Sequence, residues 1–272
     1  GQYTRNECYF DNNPEMKAKG LPNDEVKSIL EKIRKKYGPS FVPKTTLTKP
    51  VGAPGQGRSL ENNIKMANAL LDSAGWEMGA NGIRSKNGKE MVVKMILSSP
   101  LFQRIVEPYK NNLKKIGINL EIKVVQIAKY EETLRNFNFD MIVANYPQSR
   151  SPGNEQRSMW SSESQSTPGS RNYMGIKNPA IDELINNIVE AKSRKKLVNT
   201  IKAMDRILTH QFYIVPNWYI PYDRVVYWNK FSRPKINPSQ SIIINNILEW
   251  WWLDESKAIA LKKARASGSS LQ

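Results

Sequence analysis

The sequence predicts an α/β fold, and three observations carry the prediction. Apolar residues recur at helical spacing in several stretches, separated by short apolar runs that read as strands. Capping residues and glycines fall where such helices would start and stop. Between Met91 and Ala144 the patterns alternate as strand, helix, strand, helix, strand, which implies a sheet covered by helices. With 272 residues, 39% hydrophobic and 24% charged, the chain is long enough for one large domain or two small ones.

Taken in order, Val26, Ile29, Leu30, Ile33 and Tyr37 stripe a helix from Asp24 to Tyr37, and Gly38 stops it. Residues 39–57, rich in Pro, Gly, Thr and Lys, read as a surface loop. Ser59 caps a second helix with Leu60, Ile64, Ala67, Leu71 and Ala74 on one side, closed by Gly75. Asn81-Gly82 and Asn87-Gly88 are tight-turn signals. Met91 to Leu97 is a strand. Ser99-Pro100 opens a helix to Ile116 whose stripe is Leu101, Ile105, Tyr109, Leu113 and Ile116, with Pro108 inside it. After Gly117, Ile118 to Val124 alternates as a strand, Ala128 to Asn136 is a short helix, and Phe139 to Ala144 is a third strand. Periodicity then disappears from Tyr146 to Ile176, an irregular stretch long enough to be functional. Two helices follow, one opened by Asn178-Pro179 and one carrying Leu197, Ile201, Met204 and Leu208. Extended segments are expected at Phe212 to Tyr219, Arg224 to Trp228 and Ile242 to Trp251, then a terminal helix from Asp254 and a mobile tail, ARASGSSLQ. The longest apolar run, Ser241 to Leu253, is interrupted by Asn245, Asn246 and Glu249, and falls short of the roughly 18 residues of a membrane span.

The residue inventory argues against catalysis. His210 is the sole histidine and Cys8 the sole cysteine, so no internal disulfide can form and no zinc site has enough nitrogen and sulfur ligands. A Ser-His-Asp or Cys-His arrangement would have to run through His210, which reads as structural or exposed. No phosphate-binding glycine loop is present. No enzyme activity, metal or cofactor is therefore expected. The net charge of +16 comes from 41 Lys and Arg against 25 Asp and Glu. Its clusters (Lys32, Arg34, Lys35, Lys36; Lys114, Lys115; Arg194, Lys195, Lys196) sit on helices as solvated faces, with no nucleic-acid motif beside them. Of 7 Trp, Trp228, Trp250, Trp251 and Trp252 crowd the last strands, either as core or as an aromatic cleft wall.

Several runs point to one family. LLDSAGWEMGANGIRSKNGK (70–89) resembles the helix–AGW–turn segment of ABC importer solute-binding proteins for oligopeptides, dipeptides and nickel. YFDNNPEMKAKGLP, SPGNEQRSMW, TPGSRNYMGIKNPAIDELI and VPNWYIPYDRVVYWNKFSRP resemble the YejA-type branch of that family. The resemblance covers residues 1 to about 253 and implies the carboxy-terminal half of a periplasmic-binding-protein-like, type II clamshell. It implies that residues 1–210 form the second, ligand-binding lobe and that 211–253 are hinge strands returning to a missing first lobe. Residues 254–272 would be a terminal helix and tail. It also implies a periplasmic, monomeric receptor, peripheral to the inner membrane, that captures oligopeptides and passes them to ABC permease transmembrane subunits. The signal peptide would belong to the missing part. Alternatives are a receptor for cell-wall (murein) peptides, a basic nucleic-acid-binding module or a hydrolase of peptides or cell-wall fragments.

In the wider family a loop aspartate pairs with the peptide ammonium. Here the loop reads Tyr146-Pro147-Gln148-Ser149-Arg150-Ser151-Pro152, with Ser151 or Gln148 at the acidic place. The departure favours polar and cationic contacts from Ser149, Arg150, Asn154, Arg157, Arg171 and Asn172, with Tyr146, Trp160 and Tyr173 as walls. Guanidinium forks suit carboxylates, so an anionic group or a peptide carboxy terminus is the expected ligand feature.

Overall fold

The computed structural model describes residues 4–48, 59–220, 222, 224–235 and 247–270. β1 (Thr4–Arg5) precedes α1 (Asp24–Tyr37), where Asn23 accepts the Val26 N–H at 2.8 Å and Gly38, at φ 93°, ends the helix. A 3₁₀ turn, Lys44–Leu47, takes up part of the predicted loop, and residues 49–57 of that expectation lie outside the described residues. α2 (Leu60–Ser73) starts at its Ser59 cap. Its apolar stripe is at most half-buried: no residue of α2 is buried.

β2 (Glu77–Met78), β3 (Arg84–Lys86) and β4 (Lys89–Glu90) form an antiparallel three-stranded sheet. Asn87 and Gly88, at φ 52° and 73°, make the two-residue turn that twisted hairpins favour. β5 (Val92–Leu97), α3 (Pro100–Lys114) and β6 (Asn119–Val124) form the parallel crossover, in register from Val92↔Asn119 to Leu97↔Val124. The face that α3 packs on the sheet is Phe102, Val106, Tyr109 and Leu113, while Leu101 and Ile105 are exposed. Two overlapping stripes share Tyr109 and Leu113, and spacing alone cannot choose between them.

α4 (Ile127–Arg135) follows β6. The predicted third strand, Phe139 to Ala144, shrinks to one parallel bridge between Met95 and Met141. Lys94 N–H donates to the Asp140 carboxylate at 2.8 Å, so a side chain occupies the place of a strand carbonyl and the ladder ends there. The irregular stretch contains α5 (Glu155–Trp160) and a 3₁₀ turn, Glu163–Ser166.

α6 (Pro179–Val189) and α7 (Arg194–His210), capped by Asn178 and Ser193, build the main core with α1. Ile181, Leu184 and Ile185 meet Ile201, Met204 and Leu208, and Tyr9, Phe10 and Met16 join from the segment before α1. That segment is tied to α7 by buried polar groups. The Asp205 carboxylate accepts the N–H groups of Tyr9 (3.0 Å) and Ala18 (2.9 Å), and the Arg206 guanidinium donates to the Gly20 carbonyl at 2.6 Å. His210 is buried at the end of α7, where burial and Arg206 depress its pKa.

Beyond α7 the strands are shorter than expected. Only β7 (Trp218–Tyr219) forms within 212–219, pairing antiparallel with β1, and residues 224–228 form no strand. β8 (Phe231–Ser232) pairs antiparallel with β9 (Trp252–Leu253), and the turn before β9 is helical, α8 (Ile247–Trp250). The strand expected from Ile242 to Trp251 is thereby corrected over 247–250, and residues 242–246 lie outside the described residues. α9 (Glu255–Ser267) runs well into the stretch expected to be a tail. Hydrogen bonds from Ser256, Ser232 and the Lys257 N–H hold its cap, Asp254, down at about 2.

The chain divides into two units, Asn6–Asn217 and a smaller one of Gly1–Arg5 with Trp218–Gln272. In the smaller unit Trp228, Trp250 and Trp252 are exposed, so they form no core within it.

Candidate functional site

The segment from Asn145 to Pro152 has no ladder to hold it, so side chains from elsewhere bind its backbone. Asn12 and Asn13 donate to the carbonyls of Gln148 (3.0 Å) and Ser149 (3.1 Å). Arg194, paired with Glu15, donates to the Arg150 carbonyl and to the Ser151 hydroxyl (3.1 Å). The Gln148 side chain points inward and accepts from Gln156 Nε2 at 2.8 Å, while Gln156 Oε1 accepts from Trp160 Nε1 at 2.8 Å. A buried amide chain satisfied in this way avoids the penalty of unpaired polar groups and fixes the loop against α5. It also removes Gln148 from the surface as a substitute for the family's aspartate, whereas Ser151 stays exposed.

Above this floor the aromatic rings form a continuous series. Trp160, fully buried, meets Tyr9 edge-on at 5.1 Å and stacks on Tyr146 at 4.8 Å. Tyr146 in turn meets Tyr173 at 6.3 Å, and Tyr173 meets Phe139 at 6.4 Å. Arg171 lies over the Tyr146 ring at 5.6 Å and donates from Nη2 to the Asn145 carbonyl, and the Tyr146 hydroxyl donates to the Arg171 carbonyl at 3.1 Å. Burial and the neighbouring Tyr173 push the Tyr146 phenol well above its ordinary pKa, so it remains a neutral donor. A guanidinium over a ring face gains from the cation–π attraction and keeps donors available for a planar anion.

Of the nine residues singled out from sequence, Tyr146, Arg171 and Tyr173 come together here, each half-buried. Ser149 and Arg150 are exposed on the pinned loop, and Asn154 and Arg157 engage each other at 3.0 Å at the start of α5. Trp160 and Asn172 require correction, because both are fully buried with internal partners. Asn172 donates to the carbonyls of Ser161 (3.0 Å) and Ile176 (2.9 Å) and accepts the Ile176 N–H (2.8 Å), which makes it a clasp and not a ligand contact. Sequence reading missed Asn145 and Phe139, whose signal was only their adjacency to the aperiodic stretch. It also missed the loop holders Asn12, Asn13 and Arg194.

Other groups offer less. A depression of about 630 Å³ is lined by Glu15, Glu25, Arg194 and Lys195 among others, and these four are already paired as Glu15–Arg194 and Glu25–Lys195. Burial, then Asp205 and Asp11, push the Cys8 thiol far above its ordinary value, which leaves it un-ionised. Among the described residues no group of three or more His, Cys, Asp or Glu could hold a metal ion, and no helix is long and apolar enough to cross a membrane.

Comparison with known proteins adds three findings. The profile described as bacterial extracellular solute-binding proteins, family 5, middle part, matches residues 26–168. The chain is 32% identical over 253 residues to a probable peptide-binding protein YejA of Agrobacterium fabrum, covering 93% of this chain and 40% of that one. It is 30% identical to the peptidoglycan-binding protein YepA of the same organism, again over 93% of this chain and 40% of the relative. The chain thus spans about two fifths of the length of these relatives. Among solved structures, the oligopeptide-binding protein AppA of Bacillus subtilis, in complex with a nonapeptide, superposes with a TM-score of 0.55 at 21% identity. That match covers 84% of this chain and 45% of AppA, and it shows the shared type II periplasmic-binding fold.

Proposed function

Because the chain belongs to the bacterial extracellular solute-binding proteins of family 5, we propose that it forms one lobe of the substrate-binding subunit of an ABC importer. The whole protein captures oligopeptides in a cleft between two lobes and delivers them to the permease. Residues 1–210 are assigned to the second lobe, 211–253 to segments returning to the first, and 254–272 to the terminal helix and tail. The exposed Trp228 and Trp252 support that return, since rings of that size are ordinarily covered. The protein is placed in the periplasm, peripheral to the inner membrane, as a monomer, with no catalytic step and no nucleic acid.

The observation that carries the ligand reading is Arg171 over the Tyr146 ring beside Tyr173, next to a loop held through the backbone carbonyls of Gln148, Ser149 and Arg150 and the Ser151 hydroxyl. Such a face offers ring surface to varied side chains and a fork to a carboxylate. The anchored group of the ligand is therefore an anion, a peptide carboxy terminus or an acidic side chain. Ligand contacts made only in the closed state shift the population toward closure, and closure marks the form that docks on the permease.

Native mass spectrometry of the complete protein identifies the ligand mass. Titration calorimetry with that ligand then compares the parent with Arg171→Ala. The expected result is a loss of about tenfold or more in affinity, the size of one charge-assisted contact. Unchanged affinity removes Arg171 from the site, and absence of any co-purifying or titratable peptide overturns the reading as a whole. The peptidoglycan-binding relative favours a second ligand within the same class, a murein peptide, which the same titration tests in parallel.

A further inference from the structure

Helix α2 has the pattern of a core helix, but none of its residues is fully buried. At about 100° per residue, Leu60, Ile64, Ala67 and Leu71 fall within an arc of about 60°. Yet no residue of the helix is buried, and none belongs to either apolar cluster among the described residues. Leu60 is 49% exposed, and Ile64, Ala67 and Leu71 are only half-buried. The helix is held by its flank instead. Arg84, itself buried, donates to Asn68 Oδ1 (2.9 Å), Asp72 Oδ1 (2.6 Å) and the Ile116 carbonyl (2.9 Å). Asn68 and Asp72 sit about a quarter-turn from the stripe. The anchor therefore fixes the direction in which the stripe faces while leaving it only half-covered.

We propose that this stripe of α2 is a docking seam for the part of the complete protein that lies outside these 272 residues. The relatives supply the argument for that occupant, because they carry about three fifths of their length beyond the matched region. A helix polar on its anchored flank and apolar on its free face suits a permanent partner in the same polypeptide. The proposal uses family length alone and does not depend on which ligand is bound.

The test uses the complete protein. A benzophenone amino acid is placed at Leu60 and, separately, at Leu71, and the photoproducts are mapped by mass spectrometry. Crosslinks to peptides outside the 272 residues are expected. Crosslinks confined to these 272 residues, crosslinks to a second copy, or no crosslink at all each overturn the proposal. Hydroxyl-radical footprinting of the unmodified protein avoids any folding defect in the variants. There Leu60, half-exposed within this chain, should oxidise at least about fivefold more slowly than the exposed Leu21, as buried leucines do. Equal rates would overturn the proposal as well.

Discussion

Asp205 is a fully buried titratable residue of the larger unit. Burial pushes its carboxyl up to about 6, against the pull of the Ala18 N–H, the Cys8 thiol and the Tyr9 N–H. A carboxyl raised in the folded state holds its proton where the unfolded chain has already lost it. Its contribution to stability is therefore fully present below the ordinary Asp value near 4 and is lost as pH rises to about 6. Asp205→Asn removes that titration. From pH 7 to pH 4, the parent should gain about 2–3 kcal/mol relative to the variant in urea unfolding, the equivalent of two pKa units. His210 is common to both proteins and cancels in the difference. A parallel pair of stability curves would show that Asp205 does not titrate in this window. Single residues also mark how far the candidate site was legible. Tyr146, Arg171 and Tyr173 stood out because arginine and aromatic residues without periodicity signal a surface with a task. Trp160 and Asn172 have the same chemistry but face inward, because Gln156 and the backbone at Ser161 and Ile176 take their polar atoms. No spacing rule records a partner that the fold brings in from another turn.

Helices were the legible elements, because each is announced by its own local chemistry. Ser59, Ser99 and Asn178 accept N–H groups of the first turn from where the sequence placed them, and Asn23 and Ser193, which the sequence reading did not single out, do the same. Strands depend on a neighbour, and the expected third strand ended where Asp140 replaced a carbonyl with its side chain. Gly117, between α3 and β6, shows how elements constrain one residue. It has φ +79°, and a Cβ there would stand 2.6 Å from Arg84 Cγ and 2.9 Å from Met78 Sδ. Gly117→Ala should cost about 2–4 kcal/mol, combining backbone strain with overpacking against the hairpin. Gly88→Ala, at φ +73° in open space, meets only the strain and should cost about 1–2 kcal/mol. Denaturant midpoints that ranked the two in the opposite order would refute this account of the α3–hairpin contact.

At the scale of the whole molecule, binding and stability are linked. A ligand present at a hundred times its Kd should stabilise the complete protein by about 2.7 kcal/mol, visible as a raised melting temperature. If this chain supplies one side of the grip, as proposed, the 272 residues alone should show a smaller rise. Equal shifts would mean that a full site exists within this chain. The ties between α7 and the segment before α1 have one more consequence. Tyr9 and Ala18 hang on a side chain 196 and 187 positions later, and Gly20 on one 186 positions later. During translation at roughly 5–20 residues per second, those anchors emerge from the ribosome about ten seconds or more after the residues they hold. Through that interval Tyr9, Phe10 and Met16 have no seat, which makes the nascent segment a natural client for chaperones until α7 arrives.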